Sequence, residues 1–135
     1  EISYFCFRNC KSLENVKLPD NVDLIGRSSF AKCYNLKTIE YNGNKEIAVY
    51  NNAFQGCTSL ERLPEKLLNN IVYIEDNVFH GCYNLDVEHT LSNLNKDCEI
   101  SQYLFGARFH SQEGIDEFIS LCEKYGNNYT ITNYE

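Results

Sequence analysis

Seven cysteines and three histidines are the residues of this 135-residue chain whose types suit nucleophilic, redox or metal chemistry. A thiol nucleophile needs a thiolate beside a base, a structural zinc needs closely spaced Cys and His ligands, and a disulfide framework needs paired cysteines. The spacing meets none of these demands. There is no Cys-x-x-Cys, no His-Glu-x-x-His, no Gly-x-Ser-x-Gly and no glycine-rich phosphate loop. His80 is expected to be a variable surface residue, and His89 and His110 fall in segments read as irregular, far from any cysteine pair. The sequence therefore predicts no catalytic residue, no metal ligand, no cofactor and no enzyme.

What the cysteines do instead follows from their positions. Cys10, Cys33, Cys57 and Cys82 are 23, 24 and 25 residues apart. Phe7, Phe30, Phe54 and Phe79 keep those separations three residues earlier, and Leu13, Leu36, Leu60 and Leu85 keep them three residues later. Five residues before each Phe stands an aliphatic: Ile2, Ile25, Val49 and Ile74. A fifth unit opens with Ile100 and Phe105 and puts Arg108 where the Cys belongs. One such unit cannot bury its apolar side alone, whereas stacked units cover one another, so a period in the twenties points to a leucine-rich repeat solenoid. Cysteine recurs because a small apolar residue fits the inside of each coil. Cys6, Cys98 and Cys122 lie off this ladder.

Leu13 to Leu18 and Leu36 to Tyr41 alternate as half-buried strands do, and successive strands would form a parallel sheet at a spacing of about 4.8 Å. Five coils make a stack roughly 25 Å long. Ile25-Gly26-x-x-x-Phe30-x-x-Cys33-x-x-Leu36-x-x-Ile39, with the Leu-Pro-x-x-Val ending of the first unit, resembles the BspA-type leucine-rich repeats, surface proteins of bacteria and protists. The resemblance covers residue 2 to about 109 and is clearest up to Leu85. It implies a strand at Leu-x-x-Ile-x-Leu-Pro, a second short strand near Val-x-x-Ile-Gly, and a tight helical turn at Ala-Phe-x-x-Cys. Asn9, Gly56 and Gly81 stand where left-handed backbone would close that turn, and Lys32 breaks the pattern.

The fold expected is a short right-handed superhelix of this kind, β-rich with short helical turns, over residues 1–110, with a capping helix and strand over 111–135. The fourth unit lacks its aliphatic after Leu85, which predicts an irregular or bulged coil up to Ile100. From Gln112 to Tyr125 the apolar residues Ile115, Phe118, Ile119, Cys122 and Tyr125 recur at helical spacing. Gly126 ends that helix, and Tyr129 to Tyr134 reads as a strand. Ile2 already occupies a repeat position, so the first coil is expected to show an open face.

Charge narrows the partners. The chain carries a net charge of -7, which excludes a basic nucleic-acid binder. Residues 1–45 hold seven bases and five acids, whereas 46–135 hold five bases and fourteen acids. No apolar run approaches the roughly 18 residues of a membrane span. The expectation is a protein-protein interaction module, used at the cell surface or after secretion for adhesion or host and partner binding, the surface part being what the resemblance implies. Alternatives are an intracellular inhibitor or effector whose acidic half occupies a basic groove, and a structural spacer that assembles end to end through its uncapped coil. The expected binding residues are Asn15, Lys17, Thr38, Glu40 and Arg62 on the sheet face, with Tyr34 and Tyr83 as aromatic anchors.

Overall fold

Each coil turns at its Phe-x-x-Cys segment, and the computed structural model, which describes residues 1–132, builds that turn from two left-handed positions. Two residues after each Phe, Asn9, Lys32, Gly56 and Gly81 have φ of +63°, +61°, +74° and +76°. The sequence reading anticipated this set, including the misfit of Lys32. The second set lies two residues before each Phe and was not anticipated: Phe5, Ser28, Asn52 and Asn77, with φ from +54° to +63°. Asparagine tolerates this backbone; Phe5, Ser28 and Lys32 carry its steric cost of roughly 1–2 kcal/mol each.

Between the two left-handed positions every second N–H points at the next coil. Ser28, Phe30 and Lys32 donate to the carbonyls of Asn51, Ala53 and Gln55 at 3.1, 2.8 and 2.6 Å. Phe5, Phe7 and Asn9 do the same to Arg27, Ser29 and Ala31. The Phe rings stack in step, Phe7 on Phe30 at 5.2 Å, Phe30 on Phe54 at 5.4 Å, Phe54 on Phe79 at 6.1 Å and Phe79 on Phe105 at 5.8 Å. The column stops where Phe109 meets Phe105 edge-on at 82°.

Two parallel sheets flank this corner. β1 (Asn15–Lys17) pairs with β3 (Thr38–Glu40), with Val16 opposite Ile39. β2 (Leu24–Ile25), β4 (Ile47–Val49) and β5 (Ile71–Ile74) form the other, with Ile25, Val49 and Ile74 aligned and Ile2 bridged to Ile25. Ile39, Ile25, Ile47, Val49, Ile71 and Ile74, together with Phe30, Phe54, Cys57, Leu36 and Leu60, are buried in a single core cluster, and half-buried Val16 packs against it.

The first sheet does not continue through the later coils as the sequence reading expected. After Leu63 and Pro64 the chain enters α1 (Glu65–Asn70), which buries Leu67 and Leu68. In the fourth coil, predicted to be irregular, the strand position gives way to α2 (Val87–Asn93). The reason is local. Asp86 caps the helix by accepting the His89 N–H at 2.9 Å, and Val87, Thr90, Leu91 and the flanking Leu94 fall on one buried face. His89 is therefore helical, not in an irregular segment.

β6 (Glu99–Ser101) leads into two short 3-10 turns over Gln102–Phe109, broken at Phe105 and Gly106, where φ is +67° and ψ is -133°. α3 (Gln112–Tyr125) has the expected limits. Ser111 caps it through the Gly114 N–H at 3.0 Å, and left-handed Gly126 closes it. β7 (Asn128–Thr130) then pairs in parallel with β6, Tyr129 opposite Ile100. The expected strand began at Tyr129; its last positions, Asn133 and Tyr134, lie outside the described residues.

Candidate functional site

Three of the four ladder cysteines, Cys33, Cys57 and Cys82, are held as thiols by their surroundings. Cys33, Cys57 and Cys82 are buried, and each Sγ donates to the carbonyl of the preceding coil's Phe: Phe7 at 3.1 Å, Phe30 at 3.2 Å and Phe54 at 3.0 Å. Burial raises all three, Cys82 to about 12. Off the ladder, burial likewise lifts Cys98 to about 11 and Cys122 to about 12. Such groups are poor nucleophiles at neutral pH. Cys6 is exposed and Cys10 half-buried. Among the described residues no group of three or more His, Cys, Asp or Glu converges in a way that could hold a metal. His80 is exposed, as expected, and its ring fills the space over Gly106.

The sequence-predicted sheet residues come together on one surface. Asn15 and Lys17 of β1 are exposed and lie opposite Thr38 and Glu40 of β3, while Ile39 between the latter is buried. The Thr38 hydroxyl donates to the Asn15 side-chain oxygen. Arg62 lies in the third coil and reaches Asp86, with Nη2 and Oδ2 2.9 Å apart. Arg62 also lines a shallow depression of about 390 Å³ with Thr38, Glu61 and His89. Tyr83 is 82% exposed and Tyr34 40%. Both follow a ladder Cys, and the Tyr34 carbonyl accepts from Ser59 Oγ at 2.6 Å, which ties its backbone to the next coil.

Two residues of this surface escaped the sequence reading. Asp86 is both the cap of α2 and the partner of Arg62, and the His89 backbone N–H, then Arg62, hold its carboxyl below the usual carboxylate range. His89 Nε2 lies 2.9 Å from the Leu63 carbonyl. The signal was Asp86-x-x-His89 ahead of Leu91, a helix start placed where an irregular coil was expected.

Residues 1–110 match the BspA type leucine rich repeat region, in six copies. The chain belongs to the BspA-type leucine-rich repeat family. Six copies occupy the stretch in which the sequence reading distinguishes four full units and a degenerate fifth. No curated protein and no solved structure matches the chain significantly. BspA-type repeats are generally non-enzymatic, their domains generally bind proteins, and they are typically surface proteins. The fold they imply is a solenoid-like stack of repeats. Among the described residues of this BspA-type chain, no helix is long and apolar enough to cross a membrane.

Proposed function

We propose that this protein is a non-enzymatic adhesion or partner-binding module of the cell surface, working through the β1/β3 face. In this reading residues 1–110 wind as one right-handed superhelix and residues 111–135 cap it. The observation that carries it is the division of labour along β1 and β3. Val16 and Ile39 point into the stack, while Asn15, Lys17, Thr38 and Glu40 are left exposed on a backbone the core holds fixed. A fixed backbone loses little entropy on binding, and side chains of mixed charge give a partner register to read. Arg62 extends the row, and Tyr34 and Tyr83 supply aromatic area of the kind that anchors interfaces.

The test is capture of surface or matrix proteins on the immobilised chain, followed by Lys17→Ala, Glu40→Ala and Arg62→Ala. A captured partner whose affinity falls at least about tenfold across the set supports the reading. Unchanged affinity moves the site off this face. The acidic carboxyl-terminal half favours a second reading, an inhibitor or effector that fills a basic groove; a partner lost in moderate salt but indifferent to those three substitutions would favour it.

A further inference from the structure

Among the described residues, no layer packs on the outward side of the other sheet. Ile25, Ile47, Val49 and Ile74 face the core, and the opposite side presents Leu24 and Ala48, half-buried, and Tyr73, 48% exposed. Tyr50 leans against Tyr73, ring centroids 5.7 Å apart. Beside this pair a groove of about 810 Å³ crosses β5, β6 and β7. Among the described residues its charged lining is Glu75, Asp76, Asp97 and Glu99, with no lysine or arginine. The ion pairs among the described residues involve Glu14, Asp86 and Glu88, so none of the four groove acids is neutralised.

The layout of these acids selects among ligands. Among the described residues they do not converge as a cation site would require, but lie just after β5 (Glu75, Asp76), just before β6 (Asp97) and on β6 (Glu99), beside a tyrosine face. Phosphate-bearing ligands are repelled. A planar guanidinium suits both halves, since it stacks on tyrosine and forks to carboxylate, which an ammonium does less well. Three strands at about 4.8 Å spacing span the length of only a few extended residues. We propose that this groove binds an extended, arginine-bearing segment of a partner protein, with Tyr73 as the stacking platform and Asp97 and Glu99 as the charge partners. The Asp97 carboxylate has no side-chain partner among the described residues, while Glu99 accepts from the Thr130 hydroxyl and Asp76 from Ser101 Oγ at 2.5 Å. This surface is separate from the β1/β3 face and stands without the reading proposed above.

The test uses a fluorescein-labelled peptide of three Arg-Pro-Pro repeats, with lysine and glutamate counterparts, titrated by anisotropy against the intact chain. Saturable binding of the arginine peptide, weaker binding of the lysine peptide and none of the glutamate peptide are expected. Asp97→Asn with Glu99→Gln should weaken the arginine peptide about tenfold and flatten its salt dependence. Tyr73→Leu should weaken it about threefold and erase the preference over lysine. Glu14→Gln with Glu46→Gln, acids outside the groove, and Lys17→Ala with Glu40→Ala on the other sheet should leave it unchanged. Failure to bind, indifference to the Asp97 and Glu99 pair, an equal loss on removing Glu14 and Glu46, or self-association of the chain in place of peptide binding would each overturn the proposal.

Discussion

The Phe-x-x-Cys corner and the strand corner belong to the same coils yet tolerate different amounts of change. At the first, the ring column and both left-handed positions persist through four coils, the thiol-to-carbonyl bonds recur in three of them, and the phenylalanine persists into the fifth. At the second, two coils keep a strand and the fourth has a helix instead. The difference lies in what each corner must satisfy. At the turn every second N–H bonds to the next coil while those between bond within the turn itself, so every unit needs the same geometry to pair. A helix satisfies its own backbone, so at the strand corner α2 can replace β-pairing provided one face stays apolar.

That comparison predicts the largest loss in the ring column. Phe54 is 1% exposed and stacks between Phe30 and Phe79. Phe54→Ala should cost about 3–5 kcal/mol in denaturant unfolding, as large-to-small core changes do. A loss below about 1 kcal/mol would mean the column is a consequence of stacking and not a cause. Cys57→Ala removes a buried sulfur and the donor to the Phe30 carbonyl. It should cost about 2 kcal/mol, and Cys57→Ser, which keeps a donor, should recover part of that.

The same contrast explains what the sequence disclosed. The ladder was legible because one residue type recurs at one offset, and α3 because Ile115, Phe118 and Cys122 keep a helical period between Ser111 and Gly126. The second left-handed set was hidden because Phe5, Ser28, Asn52 and Asn77 share a conformation and not a chemistry. α2 was missed because the lack of an aliphatic three after Leu85 pointed to an irregular coil, and the helical spacing of Val87, Thr90, Leu91 and Leu94 was not weighed against it. The exposed sheet residues were found from alternation alone. The acidic groove beside Tyr73 was not, since its acids come from segments 20 or more residues apart that only the stacking brings together.

At the strand corner the effects should be smaller. Asp86→Ala removes the cap of α2 and should cost about 1 kcal/mol at neutral pH. A carboxyl whose folded value is depressed stabilises the fold above its unfolded value and loses that contribution as pH falls through the depressed one. The gap between the variant and the unsubstituted chain should therefore close below a pH of about 4, read from unfolding midpoints across pH. Back at the turn, Lys32→Gly relieves left-handed strain at φ +61° but loosens the unfolded chain. A net gain of about 0.5 kcal/mol in the same assay is expected, with Asn9→Gly, already a tolerant residue, giving less.

The smallest effect is expected from Arg62→Ala. Arg62 and Asp86 are joined across the third and fourth coils, but the arginine side chain is 65% exposed and the carboxylate 36%. Solvent screens such a pair, and ordering a long side chain offsets most of what remains. Loss of stability should stay within about 0.5 kcal/mol, and a double-mutant cycle with Asp86→Ala should give a coupling no larger. The cap and the ion pair use different oxygens of Asp86, Oδ1 to the His89 N–H and Oδ2 to Arg62. The cap can therefore survive without the arginine, and helix content by circular dichroism should be unchanged in Arg62→Ala. A coupling above about 1 kcal/mol would instead make the pair a clamp between coils. It would mean that the helix at the strand corner depends on its neighbour as strictly as the Phe turns do.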